Sequence, residues 1–446
     1  MASLRKNGGD GSTVSATRCS AGSGRGCRAA IWRRIVPEPV LLAADLGTTT
    51  LAGRLLSASG TLRAEAEVEN PQKAFGSDVV RRLDAAKAGH GGDLQRLLSG
   101  GVNQLVETLL EQSGCQRAQI CAAAVAANPA VTHLLTAEPV DPILFPPHRP
   151  KQLWGERVDA SCFGVDLPVP LYIFPLLSGY VGGDLLAVLL AADVSAGEPA
   201  LYIDLGTNAE LALWDGQRWL ATSVAAGPAF EAAHLSCGIS CRPGAVHAVR
   251  CCADHFALDV VGRTPPLGLC GSGFFSAIRC GVLTGLIDRR GQLRRAADVE
   301  TLHARYQIET DDGPAFQLYR DAHRQILIRQ SDIRAFQLAK GAVAAGVDCL
   351  LERAHLSASQ VQNVTLSGAL GATLDGPDLK EVALLPEVML DKVRFVPSAV
   401  LDGVQAFLLA AEGEAWVRRL LMQVKPFPLS GTPSFERRFL QSLDFS

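Results

Sequence analysis

The sequence predicts an α/β protein built as two like-folded lobes with a ligand cleft between them. Two observations carry that prediction. The first is a repeated design: Leu41-Leu42-Ala43-Ala44-Asp45-Leu46-Gly47-Thr48-Thr49-Thr50 and Leu201-Tyr202-Ile203-Asp204-Leu205-Gly206-Thr207-Asn208-Ala209-Glu210 each join an apolar strand, a terminal Asp and a Gly-Thr turn. The second is the alternation of short apolar strands with helical patterns and Gly-rich turns through the rest of the chain, the signature of mixed sheets flanked by helices.

Each repeat then continues as strands. The first runs through Leu51 to Leu56, turns at Ser59-Gly60 and resumes from Thr61 to Val68; the second runs through Leu211 to Trp214, turns at Asp215-Gly216 and resumes from Trp219 to Val224. Such turns between apolar runs are hairpin signals, so each lobe opens with a three-stranded antiparallel meander. A single Asp-x-Gly-Thr is a common turn. Two copies in matching strand contexts, about 160 residues apart, point to a duplicated functional device. Gly lets the backbone approach an anion, successive N–H groups around a tight turn form an anion-binding concavity, and Thr or Asn side chains add donors. The Asp before the turn suits the water shell of Mg²⁺, which keeps several waters and takes one or two carboxylates.

At 446 residues the chain can hold two or three cored domains, and its net charge of −3 offers no basic field for nucleic acid. No apolar run reaches the roughly 18 residues of a membrane span. Twelve Cys without a signal peptide predict free thiols and a cytoplasmic location. Residues 1–37, rich in Gly, Ser and Arg with Asp10 as their sole acidic residue, read as a disordered basic tail. The lobes are expected at 38–196 and 197–446.

Within the first lobe, Asn70-Pro71-Gln72 and Gly76-Ser77-Asp78 form a turn-rich loop before a helix near Val79 to Ala88. A helix from about Leu94 to Ser113, a small-residue strand from Cys121 to Val125 and a helix from Asn128 to Leu135 follow. Pro139 to Pro150 reads as surface connection. A strand from Leu171 to Leu176 leads through Gly182-Gly183-Asp184 to a helix from Leu185 to Ala192, apolar nearly all round and so buried. In the second lobe, Ala226-Gly227-Pro228-Ala229-Phe230-Glu231 leads into a predicted helix. Cys270-Gly271-Ser272-Gly273 opens another, from Phe274 to Leu283. Asp332 is the expected N-cap of a helix through His355, and a strand from Val361 to Leu366 delivers Ser367-Gly368-Ala369-Leu370-Gly371. Gly-rich turns at separate strand ends suggest one nucleotide held from several sides.

These residues resemble the phosphate, connecting and adenosine motifs of the actin, sugar-kinase and heat-shock ATPase superfamily, whose lobes are ribonuclease-H-like. More closely, Asn70-Pro71-Gln72 with Gly76 and Asp78, Ile203 to Asn208, Ala226 to Glu231, Cys270 to Gly273, Gln337-Leu338-Ala339-Lys340-Gly341-Ala342 and the ending from Gly431 to Phe445 resemble the reductive activators of corrinoid proteins. The resemblance runs from about Val40 to the C-terminus. It implies ATP binding and hydrolysis that drive reduction of cob(II)amide to cob(I)amide on a partner corrinoid protein. In that family the electron normally comes from an iron–sulfur domain in the same chain. Cys19 and Cys27 lack the close four-Cys spacing of such a site, so the expectation is no iron–sulfur cluster in this chain and a separate ferredoxin-type donor. The chain also carries Ala209 where the family tends to have Gly, and Ala372 where it tends to have Asn.

Under this reading Asp45 and Asp204 hold hydrated Mg²⁺. Thr48, Thr49, Thr207 and Asn208, with the amides of Gly47 and Gly206, cradle the β- and γ-phosphates. Gly271 and Gly273 approach the nucleotide from another side, and Gly368, Ala369 and Gly371 pack against adenine and ribose. Asp184 has two readings, the residue that orients the attacking water or a helix N-cap. Glu231 likewise is a metal or partner ligand, or a helix-dipole partner. Cys237, Cys241, Cys251, Cys252, Cys270 and Cys280 read as structural thiols, with a cluster shared across a homodimer as the alternative; His133, His234 and His247 read as surface or capping residues. Two further functions compete with the activator: a small-molecule kinase of the same superfamily, and a nucleotide-gated docking module without significant turnover.

Overall fold

The computed structural model describes residues 38–445 apart from 77, 193–196, 207, 228, 231, 233–234, 369–373 and 375. The predicted tail at 1–37, Ser77, Thr207, Glu231, His234, Ala369, Gly371 and Ala372 lie outside the described residues.

The first sheet contains β1 (Val40–Leu46), β2 (Thr50–Ser57), β3 (Leu62–Glu69), β4 (Ile120–Ala127), β5 (Glu156–Val158) and β6 (Leu171–Ile173) in the order β3-β2-β1-β4-β6-β5. β1 is antiparallel to β2 and parallel to β4, so it is central. That position explains its continuous apolar run. The second half opens with β7 (Ala200–Leu205), β8 (Ala209–Trp214) and β9 (Trp219–Val224). Two three-stranded sheets follow, one of β10 (Ala245–Cys251), β11 (Phe256–Val260) and β12 (Gly268–Leu269), the other of β13 (Gln307–Thr310), β14 (Gly313–Arg320) and β15 (Gln325–Arg329). Finally β16 (Asn363–Gly368), β17 (Val393–Phe395) and β18 (Val424–Pro426) return to the meander, giving the order β17-β16-β7-β8-β9-β18. Here β7 is antiparallel to β8 and parallel to β16. Both sheets therefore share one plan: a meander whose first strand is flanked on its far side by a parallel strand.

Helices cover the sheets in corresponding ways. The helix Gly91–Ser113 packs on β2 and β3, and Gln330–Ala354 on β8 and β9, each over its own core. A third core lies between the sheets. It joins Ala43, Ala124, Ala126 and Tyr172 of the first sheet to Tyr202, Ala212 and Trp219 of the second, through the helices Gly183–Ala191 and Ala399–Leu409. The small residues of β1 and β4 are what let those helices lie close.

Two expectations change. Ala229, Phe230, Ala232, Ser236 and Cys237 form turns and Leu235 a bend, in place of the helix expected after Ala226. Ala232 has a φ of 58°, outside helical space, and Ser236 is held by its backbone N–H and hydroxyl on the Asp332 carboxylate, at 2.8 and 2.6 Å. The same carboxylate accepts the Arg329 N–H at 2.8 Å, so Asp332 sits inside the first turn of Gln330–Ala354 and reaches back to the true cap, Arg329. The Pro-rich connection also holds a short helical turn, Asp141–Leu144.

Candidate functional site

Asp45 is the penultimate residue of β1, opposite Ala52 on β2 and beside Ala126 on β4. Asp204 holds the equivalent place in β7, opposite Glu210 on β8 and beside Ser367 on β16. Asp184 is the second residue of the helix Gly183–Ala191, whose N-cap is Gly182. It is therefore not the cap; its carboxylate accepts the N–H of Leu185 at 2.8 Å.

These carboxyls feel one another. Burial lifts Asp45 well above the usual carboxylate range, and the charges of Asp204, Asp184 and Glu67 lift it further. Asp184 is pushed up to about 7, first by burial and then by Asp204, against the stabilising Leu185 N–H. Glu210 is raised well above its ordinary value by burial, then by Asp184 and Asp204, while its carboxylate accepts the Ser223 hydroxyl at 3.0 Å. The duplicated strands and the helix Gly183–Ala191 thus bring Asp45, Asp184 and Asp204 into one electrostatic neighbourhood. Glu210 joins them without having been singled out by the repeated motif. Its signal is a lone acid within the otherwise apolar, fully buried strand Ala-Glu-Leu-Ala-Leu-Trp.

The turns depart from the expectation for two amides. The Gly47 N–H donates to Thr50 O at 2.9 Å and the Gly206 N–H to Asn208 O at 3.1 Å, so both close their own turns. Gly47 is required for that closure, since a Cβ there would lie 2.6 Å from Thr50 O. Thr48 is buried and its Oγ1 accepts Asn128 Nδ2 at 3.2 Å; Thr49 is exposed at the tip, and Asn208 is half-buried. Gly368 ends β16 with a φ of 97°, and a Cβ there would lie 2.3 Å from Leu205 O and 2.8 Å from Asp204 Oδ1. It therefore forms the wall against Asp204. Gly271 and Gly273 are buried in the first turn of the helix Gly271–Leu283, where a Cβ on Gly273 would come within 2.0 Å of Val246 O. Close packing of this helix on β10 explains Gly273.

The described thiols are all free, with Cys270 and Cys280 buried, and burial pushes Cys237 and Cys280 up to about 12. Among the described residues no three His, Cys, Asp or Glu side chains are grouped for direct metal ligation. His133 is buried rather than at the surface, with Nδ1 2.8 Å from Pro129 O. None of the helices among the described residues is long and apolar enough to cross a membrane.

Residues 198–446 match the family model described as the C-terminal domain of RACo, the ASKHA domain, and residues 40–196 match the RACo middle region. The chain is 30% identical over 425 residues to the corrinoid activation enzyme RamQ of Eubacterium limosum, covering 91% of this chain and 70% of that protein. It is 26% identical over 267 residues to the [Co(II) methylated amine-specific corrinoid protein] reductase of Methanosarcina barkeri, covering 55% of this chain and 44% of the relative. A solved reductive activator for corrinoid, iron–sulfur protein superposes with a TM-score of 0.82 at 28% identity, covering 92% of this chain and 66% of the other. With both halves matched in order, the chain belongs to the family of reductive activators of corrinoid proteins.

Proposed function

We propose that this chain is a Mg²⁺-dependent ATPase that drives reduction of a corrinoid protein from Co(II) to Co(I), the electron coming from a separate ferredoxin-type donor. The observation that carries the ATPase reading is the meeting of Asp45, Asp184, Asp204 and Glu210 beside two Gly-Thr turns, with Asp45, Asp184 and Glu210 driven toward their protonated forms by burial and mutual charge. Such a donor set of carboxylates fits a hard divalent cation, which takes oxygen ligands and usually keeps several waters. When bound, Mg²⁺ would neutralise charge on the β- and γ-phosphate oxygens. Asp45 and Asp204 would hold its waters. Thr48, Thr49, Thr207 and Asn208 would donate to phosphate oxygens. Gly368, Ala369 and Gly371 would admit the nucleoside, with Gly271 and Gly273 shaping the helix entry. Asp184, titrating near neutrality, suits acceptance of a proton from the attacking water. The corrinoid partner is supported by the names of the relatives, each of which acts on or activates a corrinoid system.

Replacing Asp204 tests the proposal. Asp204→Ala should lower Mg²⁺-dependent ATP turnover by about a hundredfold or more, the scale on which a charge-positioning group usually contributes. Wild-type turnover in a folded Asp204→Ala variant would remove the metal role assigned here.

A further inference from the structure

The motif of Asn70-Pro71-Gln72, Gly76 and Asp78 takes no part in the carboxylate chemistry. It builds the support under the first turn. Asn70 is fully buried where β3 ends; its side-chain amide donates to Gly47 O at 2.9 Å and its backbone N–H to Thr49 O at 2.8 Å. Its own Oδ1 accepts the Gln72 N–H at 3.0 Å, which fixes the amide's orientation, and Gln72 Nε2 is in turn tied to Leu94 O at 2.9 Å. Asp78 caps the helix Val79–Ala85 by accepting the Arg81 N–H. From that helix Arg82, only 2% exposed, donates Nη1 to Thr48 O at 2.7 Å and Nε to Gly76 O at 2.9 Å.

The carbonyls of Gly47, Thr48 and Thr49 are therefore all drawn toward Asn70 and Arg82. A trans peptide unit is planar, so its N–H points away from its C=O. Holding the Gly47 and Thr48 carbonyls inward turns the N–H groups of Thr48 and Thr49 to the opposite side of the turn. Behind them lies the buried guanidinium of Arg82. Oriented amides backed by a cation make an anion site.

The geometry points to Asn70 and Arg82 as positioning residues that hold the Gly47–Thr49 turn in its phosphate-binding conformation. This assignment rests on the nucleotide reading above and deepens it: recognition at the first turn is directed at the phosphate chain, and the residues that set it lie beneath the loop. Neither side chain needs to touch the ligand.

Calorimetric titration of the full chain with MgATP and with adenosine separates this role from general support of the fold. Arg82→Met should weaken MgATP binding about 10- to 100-fold, the usual cost of removing a group that orients a ligand, and leave adenosine binding unchanged. Arg82→Lys keeps the charge but loses the two-pronged hold, so its MgATP affinity should fall between the two; it carries the test if Arg82→Met does not fold. Parallel loss of MgATP and adenosine affinity would mean a merely structural role, and unchanged MgATP affinity would likewise overturn the assignment. A wild-type chain that binds neither ligand would defeat the nucleotide reading itself, and this assignment with it.

Discussion

Asp184 gives the site its pH signature. Its carboxyl is lifted from an ordinary 3.8 to about 7 in the folded protein, by burial and then by Asp204. Between those values the folded state keeps a proton that the unfolded chain has released, so stability is lost as pH rises through the window. The loss is up to roughly 4 kcal/mol for a shift of this size. Asp45 and Glu210 are displaced in the same direction and add to it. Urea unfolding of the ligand-free protein should therefore show stability falling from about pH 4 to pH 7, with a shallower fall in Asp184→Asn. A profile that is flat in the wild type, or unchanged in Asp184→Asn, would mean that the carboxyls do not share one environment. At this scale the sequence is informative where a residue repeats a pattern. Asp45 and Asp204 stand out because each is the penultimate residue of a strand before the same turn. Glu210, Asn128 and Arg82 do not, because their importance lies in contacts that no repeated pattern marks: Glu210 with Asp204 on the paired strand, Asn128 with Thr48, and Arg82 with a carbonyl 34 residues earlier.

Elements are legible where period and punctuation agree. Both meanders can be read to within a residue or two, since an apolar run between Gly-containing turns admits few alternatives. The apolar helix Gly183–Ala191 is legible as buried for the same reason. The segment after Ala226 is not. Its composition suits a helix, and only the distant Asp332, drawing in Ser236, shows why the described residues turn instead. Close helix contacts are equally hidden. Gly403 of Ala399–Leu409 faces Ala187 of Gly183–Ala191 so tightly that a Cβ would sit 1.8 Å from the Ala187 carbonyl oxygen. Backbone, not a flexible side chain, blocks that space. Gly403→Ala should thus cost about 3 kcal/mol, at the upper end of ordinary overpacking. Gly100 of Gly91–Ser113 is exposed, and among the described residues nothing comes within 4 Å of where its Cβ would stand, so Gly100→Ala should stabilise by about 0.5–1 kcal/mol through helix propensity. Paired chemical melts of the two variants check the contrast; equal effects would refute it.

The two acidic turns belong to different sheets, so the site exists only if those sheets are fixed relative to each other. The third core does this. Tyr172 stacks on Phe407 with centroids 4.3 Å apart and Phe174 meets the same ring edge-on at 5.1 Å, which ties the first sheet and the chain just after it to the helix Ala399–Leu409. Trp219, buried against Tyr202 and Trp214, closes the same core from the second sheet. Arg54 on β2 adds an ion pair to Asp402 at 2.6 Å, from that same helix. A fragment of residues 38–198 would leave Tyr172, Phe174 and the apolar helix Gly183–Ala191 without their cover, and should be aggregation-prone or lack a cooperative melt. The whole chain should instead unfold in one transition, with tryptophan fluorescence and far-ultraviolet dichroism coinciding. MgATP bound between the turns should move that transition as a unit, by about 2.7 kcal/mol at a hundred times its Kd. If nucleotide shifted only part of the dichroism transition and left the rest in place, the halves would be independent and the shared core would not be what aligns Asp45 with Asp204.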